Sequence, residues 1–131
     1  MTRPFIFSWS NTMGVPHQRI QTTKWADIES RLDRMGTRYG SAELALVNKP
    51  DIGPQILQLF SENGNYVLLL GEDDGQDYNT RSLSNTTSGT EPIEVCAYVW
   101  GPSQVCQDFT IVKRAFKEFL DTGDVSRELL N

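Results

Sequence analysis

The sequence has one histidine, two cysteines and no apolar run longer than six residues. Each scarcity removes a class of function. A helix that crosses a membrane needs about 20 apolar residues in a row, so none is expected here. After one early arginine, Phe5-Ile6-Phe7 is broken at once by Ser8, Ser10 and Asn11, which leaves no apolar region of a secretory signal. Cys96 and Cys106 are too few for a disulfide framework and read as reduced, half-buried thiols of a cytoplasmic protein. His17 stands in a loop with no cysteine, histidine or aspartate at ligand or triad spacing. No G-x-G-x-x-G, P-loop, G-x-S-x-G or paired-cysteine motif occurs. Glu72, Asp73, Asp74 and Asp77 cluster, but without the D-x-[DN]-x-[DN]-G order of a calcium loop. No catalytic residue, metal site or cofactor is therefore expected.

Acidic charge is abundant and unevenly placed. The 131 residues carry 12 basic and 17 acidic side chains, a net of −5. Residues 1–50 hold seven basic and four acidic groups, a net of +3, whereas residues 51–110 hold one basic and nine acidic, a net of −8. The remaining residues balance four against four. A segment with that field repels nucleic acid and attracts a basic protein surface. Direct nucleic-acid binding is thereby disfavoured.

The chain is organised around Asn65 to Ser82. Tyr66 to Leu70 is the apolar run expected of a strand buried on both faces. Gly71 to Asp77 then places four carboxylates and two glycines in a turn, and Tyr78 to Ser82 resumes a strand pattern. Asp74-Gly75 between two such runs signals a hairpin. A core strand thus delivers negative charge to the surface, where exposed turn charges are expected to contribute little to folding.

Around this stretch the periodicities alternate. Phe5, Phe7 and Trp9 recur at period two, the signature of a first strand. Asn11 to Gln21 reads as a loop. Thr22 or Thr23 can cap a helix carrying Trp25, Ile28, Leu32 and Met35, with Gly36 as its stop. Ala42–Val47 and Gln55–Phe60 are strand-like, separated by the turn cluster Lys49-Pro50-Asp51-Ile52-Gly53-Pro54, and Asn63-Gly64 marks a tight hairpin. Ser84 to Gly89 reads as a loop. Ile93 to Trp100 alternates as one final strand, ended by Gly101-Pro102. Asp108 or Thr110 caps a second helix whose stripe is Ile111, Val112, Ala115, Phe116, Phe119 and Leu120, and Gly123 stops it. Turns this short leave no room for crossover helices. The expected fold is α+β: one domain over residues 1–131, with a mainly antiparallel sheet of five or six strands and two packed helices.

Partner-binding residues follow from charge and aromatics: Glu72, Asp73, Asp74, Asp77, Tyr78, Arg81, Glu94 and Trp100. Tyr66 reads as a core plug. Trp100, at a strand end, fits a core role and an exposed interface role equally well. The turn could merely keep the protein soluble, but the −8 concentrated over residues 51–110 favours binding.

The order of parts also resembles a known family. A helix with Trp25 is followed by an Asn-Gly hairpin, a strand ending in Gly71-Glu72-Asp73-Asp74-Gly75, and Tyr-x-x-Arg at Tyr78 to Arg81. Val99-Trp100-Gly101-Pro102, a closing helix with Phe116-x-x-Phe119, and Thr122-Gly123-Asp124 come after. Over residues 22–131 this is similar to the first immunity-protein family of bacterial polymorphic toxin systems, which protects against contact-dependent and Rhs-type toxins. The tail Leu129-Leu130-Asn131 departs from the terminal Trp of many members. The resemblance implies a small α+β cytosolic protein that blocks one toxin domain, a nucleic-acid deaminase or nuclease with a basic surface; a monomer is expected. The alternative is an acidic adaptor or assembly module with no toxin partner.

Overall fold

Alternation of large apolar and small residues builds most of the sheet. In a computed structural model, residues 4–10, 18–36, 38–83 and 90–131 are described. They form strands β1 (Phe5–Ser10) and β2 (Gln18–Thr22), helix α1 (Trp25–Met35), and strands β3 (Gly40–Leu46), β4 (Gly53–Glu62), β5 (Asn65–Asp73) and β6 (Tyr78–Ser82). A small hairpin, β7 (Ile93–Val95) and β8 (Tyr98–Trp100), follows, then a short strand β9 (Val105–Cys106) and helix α2 (Phe109–Thr122). The main sheet runs β2-β1-β3-β4-β5-β6, with β9 added to β5, and every pairing in it is antiparallel. The fold is α+β, as the patterns predict. His17 and Ser84–Gly89 lie outside the described residues.

β5 is the centre of the molecule. Tyr66, Leu68 and Leu70 enter the main core, where both helices cover the sheet with Ile28, Leu32, Val112, Phe116 and Phe119. Phe5 meets Phe119 edge-on at 5.3 Å between ring centroids, and Phe7 meets Phe116 at 6.1 Å. Val67, on the opposite face of β5, joins Val95, Cys96 and Val105 in a second, smaller core beneath the β7–β8 hairpin. The five-residue apolar run is therefore covered on both sides, by helices and by a hairpin.

The helices end as their sequence dictates. Asp108 caps α2 by accepting the Thr110 amide at 3.0 Å, and Gly123, left-handed at φ 78°, donates its amide to Phe119 at 2.8 Å. Lys113 of α2 ties the helices together through Glu29 (3.0 Å) and Asp33 (3.1 Å) of α1.

Four local expectations change. Residues 18–22 form the edge strand β2, because they pair with β1, although Gln18, Arg19 and Gln21 give no apolar alternation. Lys24 occupies the N-cap of α1 without a side-chain bond, while the Thr22 hydroxyl accepts the Lys24 amide (3.0 Å) and donates to Asp27 (2.8 Å). The Asp74-Gly75 turn is a four-residue loop closed by the Asp73–Tyr78 pair.

The largest change is in 93–100. These residues make two strands, joined by a two-residue turn at Cys96 and Ala97 with φ of 54° and 68°. Neither residue favours that conformation. It is held by tertiary contacts: the Cys96 amide donates to Glu62 Oε1 at 2.8 Å, and its thiol lies 3.4 Å from the Ser61 carbonyl oxygen.

Candidate protein-binding surface

The acidic residues gather where two loops leave the same end of the sheet. Gly53 of β4 pairs with Asp73 of β5, so the 47–52 loop and the 74–77 loop emerge side by side. Asp51, Asp73, Asp74 and Asp77 lie on these loops or their margins, with Lys49 the cation among them. Ile52 projects between them at 66% exposure, its Cδ1 within van der Waals reach of the space a Gly75 side chain would occupy. Gly75 has φ 97°, a turn conformation open to glycine.

The carboxylates differ in their duties. Asp74 Oδ1 accepts the amides of Gln76 (2.9 Å) and Asp77 (2.8 Å), and its Oδ2 accepts the Asn79 side-chain amide (2.9 Å). These bonds, led by those from the Asp77 and Gln76 backbone, hold the Asp74 carboxyl below the usual carboxylate range. Asp73 Oδ1 accepts the Gly75 amide at 2.8 Å. Among the described residues, Asp51 and Asp77 make no ion pair or side-chain hydrogen bond, and both are exposed. Tyr78 is 55% exposed, and its ring lies over Gly71, where any side chain would displace its hydroxyl end.

Glu72 and Arg81 leave this surface. Arg81 is only 5% exposed, on the helix side of the sheet, and donates to the carbonyls of Val125 (2.6 Å) and Leu130 (2.8 Å) and to Asp124 (2.9 Å). Glu72 lies 3.5 Å from Arg81 and 3.7 Å from Arg127. Their charges are therefore spent within the fold. The Tyr-x-x-Arg stretch holds the C-terminal tail with its arginine and exposes its tyrosine.

Glu94 and Trp100 belong to a separate place. The β7–β8 turn sits against Ser61, the register partner of Tyr66, seven residues along β5 from Asp73. At about 3.3 Å per residue that is roughly 23 Å from the acidic loops. Trp100 is half-buried, packs on Phe60 at 5.9 Å and donates its indole N–H to the Val95 carbonyl at 3.2 Å. It pins the hairpin. The outward residues there are Glu94, Tyr98 and Val99, the last at 69% exposure.

Two features escaped the sequence reading. A cleft of about 300 Å³, lined by Pro4, Leu46, Pro50, Ile52, Pro54 and Gly123, opens beside the acidic loops. An isoleucine inside a Pro-Asp-Gly-Pro turn cluster was the available signal. At the other end of the sheet, where the Ser61 hydroxyl donates to the Arg38 carbonyl, Arg31, Asp33, Arg34 and Arg38 line a depression with Trp9 and Gln18. Arg31 lies 4.7 Å over the Trp9 ring, and none of the three arginines forms an ion pair among the described residues.

Among the described residues, no three His, Cys, Asp or Glu side chains are grouped to hold a metal ion, and no helix is long and apolar enough to cross a membrane. Comparison with known proteins adds a family. The model described as "Family of unknown function (DUF6911)" matches residues 5–129. The chain belongs to that family. No curated protein matches it by sequence. A solved structure, a hypothetical protein from Neisseria gonorrhoeae, is similar with a TM-score of 0.78 over 95% of this chain and 92% of that one, at 14% identity. This DUF6911 chain and the Neisseria protein share a fold; at that identity the likeness extends no further.

Proposed function

We propose that this protein is a cytosolic immunity protein, acting as a monomer, that binds one bacterial toxin domain and neutralises it without catalysis. The observation that carries the reading is the excess of acid at one end of the sheet, where Asp51, Asp73, Asp74 and Asp77 outnumber Lys49 on and beside the two loops that carry or border the exposed Ile52 and Tyr78. A toxin that acts on nucleic acid needs a basic substrate surface. An acidic end with apolar anchors complements such a surface: charge speeds encounter and fixes register, and buried apolar contact supplies affinity. The sequence resemblance to immunity proteins points to the same partner class.

The test is co-expression with the toxin domain encoded beside the gene, scored by growth, followed by binding kinetics. Protection is expected, together with association that slows as salt rises. Asp51→Lys with Asp77→Lys should abolish that salt dependence and slow association. Growth arrest despite co-expression, with no complex formed, would overturn the proposal. A stable complex with a protein that is not a toxin would favour the adaptor reading instead.

A further inference from the structure

The cleft beside the acidic loops has three prolines in its lining, at positions 4, 50 and 54. Proline fixes its own backbone angle and offers no N–H, so these walls are stiff and carry no donor to satisfy. Leu46 and Ile52 add apolar side chains, and Asn48 is a polar group of the lining. Thr122 and Gly123, the C-terminal end of α2, also line the cleft and bring the negative end of the helix dipole to it. The rim carries Asp51 next to Ile52, and the 74–77 loop leans on Ile52 itself. Against these stands Lys49. The cleft is thus walled mainly by apolar side chains, and on and beside the two adjoining loops Asp51, Asp73, Asp74 and Asp77 outnumber Lys49.

We infer that this cleft seats one large apolar side chain of a partner protein, flanked in the partner's chain by lysine or arginine. The inference rests on the toxin-binding reading for the partner's identity, and on the cleft for its chemistry. A volume of about 300 Å³ has room for an aromatic side chain. Stiff walls lower the ordering cost of filling it. Negative charge at the mouth attracts cations on either side of the inserted group and repels an acidic or nucleic-acid ligand. Trp100, the aromatic that the sequence offered as an anchor, is engaged at the far end of β5. The partner therefore supplies the group that enters the cleft, and this chain supplies the socket beside its own exposed Ile52 and Tyr78.

The experiment titrates the full-length, isotopically labelled protein with three capped peptides and follows its amide resonances by NMR. Lys-Lys-Trp-Lys-Lys should bind at least about tenfold more tightly than Lys-Lys-Ala-Lys-Lys or Glu-Glu-Trp-Glu-Glu, a difference well resolved in a dissociation constant. Its shifts should centre on Leu46, Asn48, Ile52 and Gly123. Ile52→Ser removes a wall and Asn48→Phe fills the mouth; both positions are exposed, and each variant should weaken the tryptophan peptide about tenfold while melting like the wild type. Equal binding of the tryptophan and alanine peptides, or shifts centred on Tyr98 and Val99, would overturn the inference. Sedimentation showing dimers lost in Ile52→Ser would assign the cleft to a second copy and overturn it too. Peptide selectivity without growth protection would overturn the toxin reading alone, and protection without selectivity would overturn the socket alone.

Discussion

Arg81 reaches Leu130 across 49 residues of chain, donating from Nε at 3.1 Å and from Nη2 at 2.8 Å to a single carbonyl oxygen. The bridge between Leu83 and Leu130, and the Asn131 amide donating to the Ser82 carbonyl at 3.0 Å, complete the closure of the tail on β6. A buried guanidinium is stable only with its donors matched, and here the tail's backbone does the matching.

Arg81→Met should therefore destabilise the protein by about 2–4 kcal/mol, since it strands the Leu130 and Val125 carbonyls. Arg81→Lys should recover little of this, because an ammonium cannot span the same fork of acceptors. Removing residues 129–131 should cost less in the Arg81→Met background than in the wild type, as coupled groups do. Urea unfolding of the four proteins measures this directly. Strict additivity would mean that arginine and tail act independently.

Asp74 should behave unlike Asp77, although both are exposed and acidic. Asp74→Lys removes the acceptor that closes the 74–77 loop, whereas Asp77→Lys removes only charge. Broadened loop resonances are expected for Asp74→Lys and a native spectrum for Asp77→Lys. A native loop in both would assign the turn to its backbone alone. The expectation that all turn charges here are dispensable for folding does not extend to Asp74.

The same carboxylate predicts a pH effect. Its folded pKa lies below its unfolded one, chiefly through the Asp77 and Gln76 amides, so its stabilisation is complete above the unfolded value of about 4. It is lost as pH falls through the lower folded value. Asp74→Asn should flatten that part of the stability curve below about pH 4 and leave the neutral region parallel to wild type. Curves of identical shape down to pH 2.5 would show that the bonds do not favour the charged form.

Ala97→Gly should stabilise the β7–β8 hairpin. A left-handed alanine costs roughly 1–2 kcal/mol, part of which glycine returns through its freer unfolded chain. A net gain of about 0.5–1 kcal/mol in denaturant unfolding is expected. A loss would indicate that the Ala97 methyl makes a contact worth more than the strain.

Cys96 and Cys106 are both free and buried, in separate cores on opposite faces of β5. Burial pushes both thiols above their ordinary range, which suppresses the reactive thiolate. Neither should react with iodoacetamide in the native protein, and both should react in urea. Mass spectrometry of each sample decides it; rapid native labelling would mean that the hairpin opens readily.

Much of the architecture could be read residue by residue. Period-two alternation located β1, the apolar stretches Ala42–Val47 and Gln55–Phe60 located β3 and β4, the helical stripes located α1 and α2, and Asn63-Gly64 located a two-residue turn with φ of 51° and 78°. These signals are local: each depends on which side chains fall on one face, or on a residue that tolerates positive φ. The charge excess of residues 51–110 is likewise visible in composition. Tertiary structure alone decided the rest. It placed Cys96 and Ala97 in a turn their types disfavour, because buried contacts outweigh local strain. It buried Arg81, since only the returning tail offers the carbonyls that make burial affordable. It set Trp100 and Glu94 about seven residues of strand from the acidic loops, and placed Ile52 there instead, because hairpins antiparallel to β5 can end at either end of it.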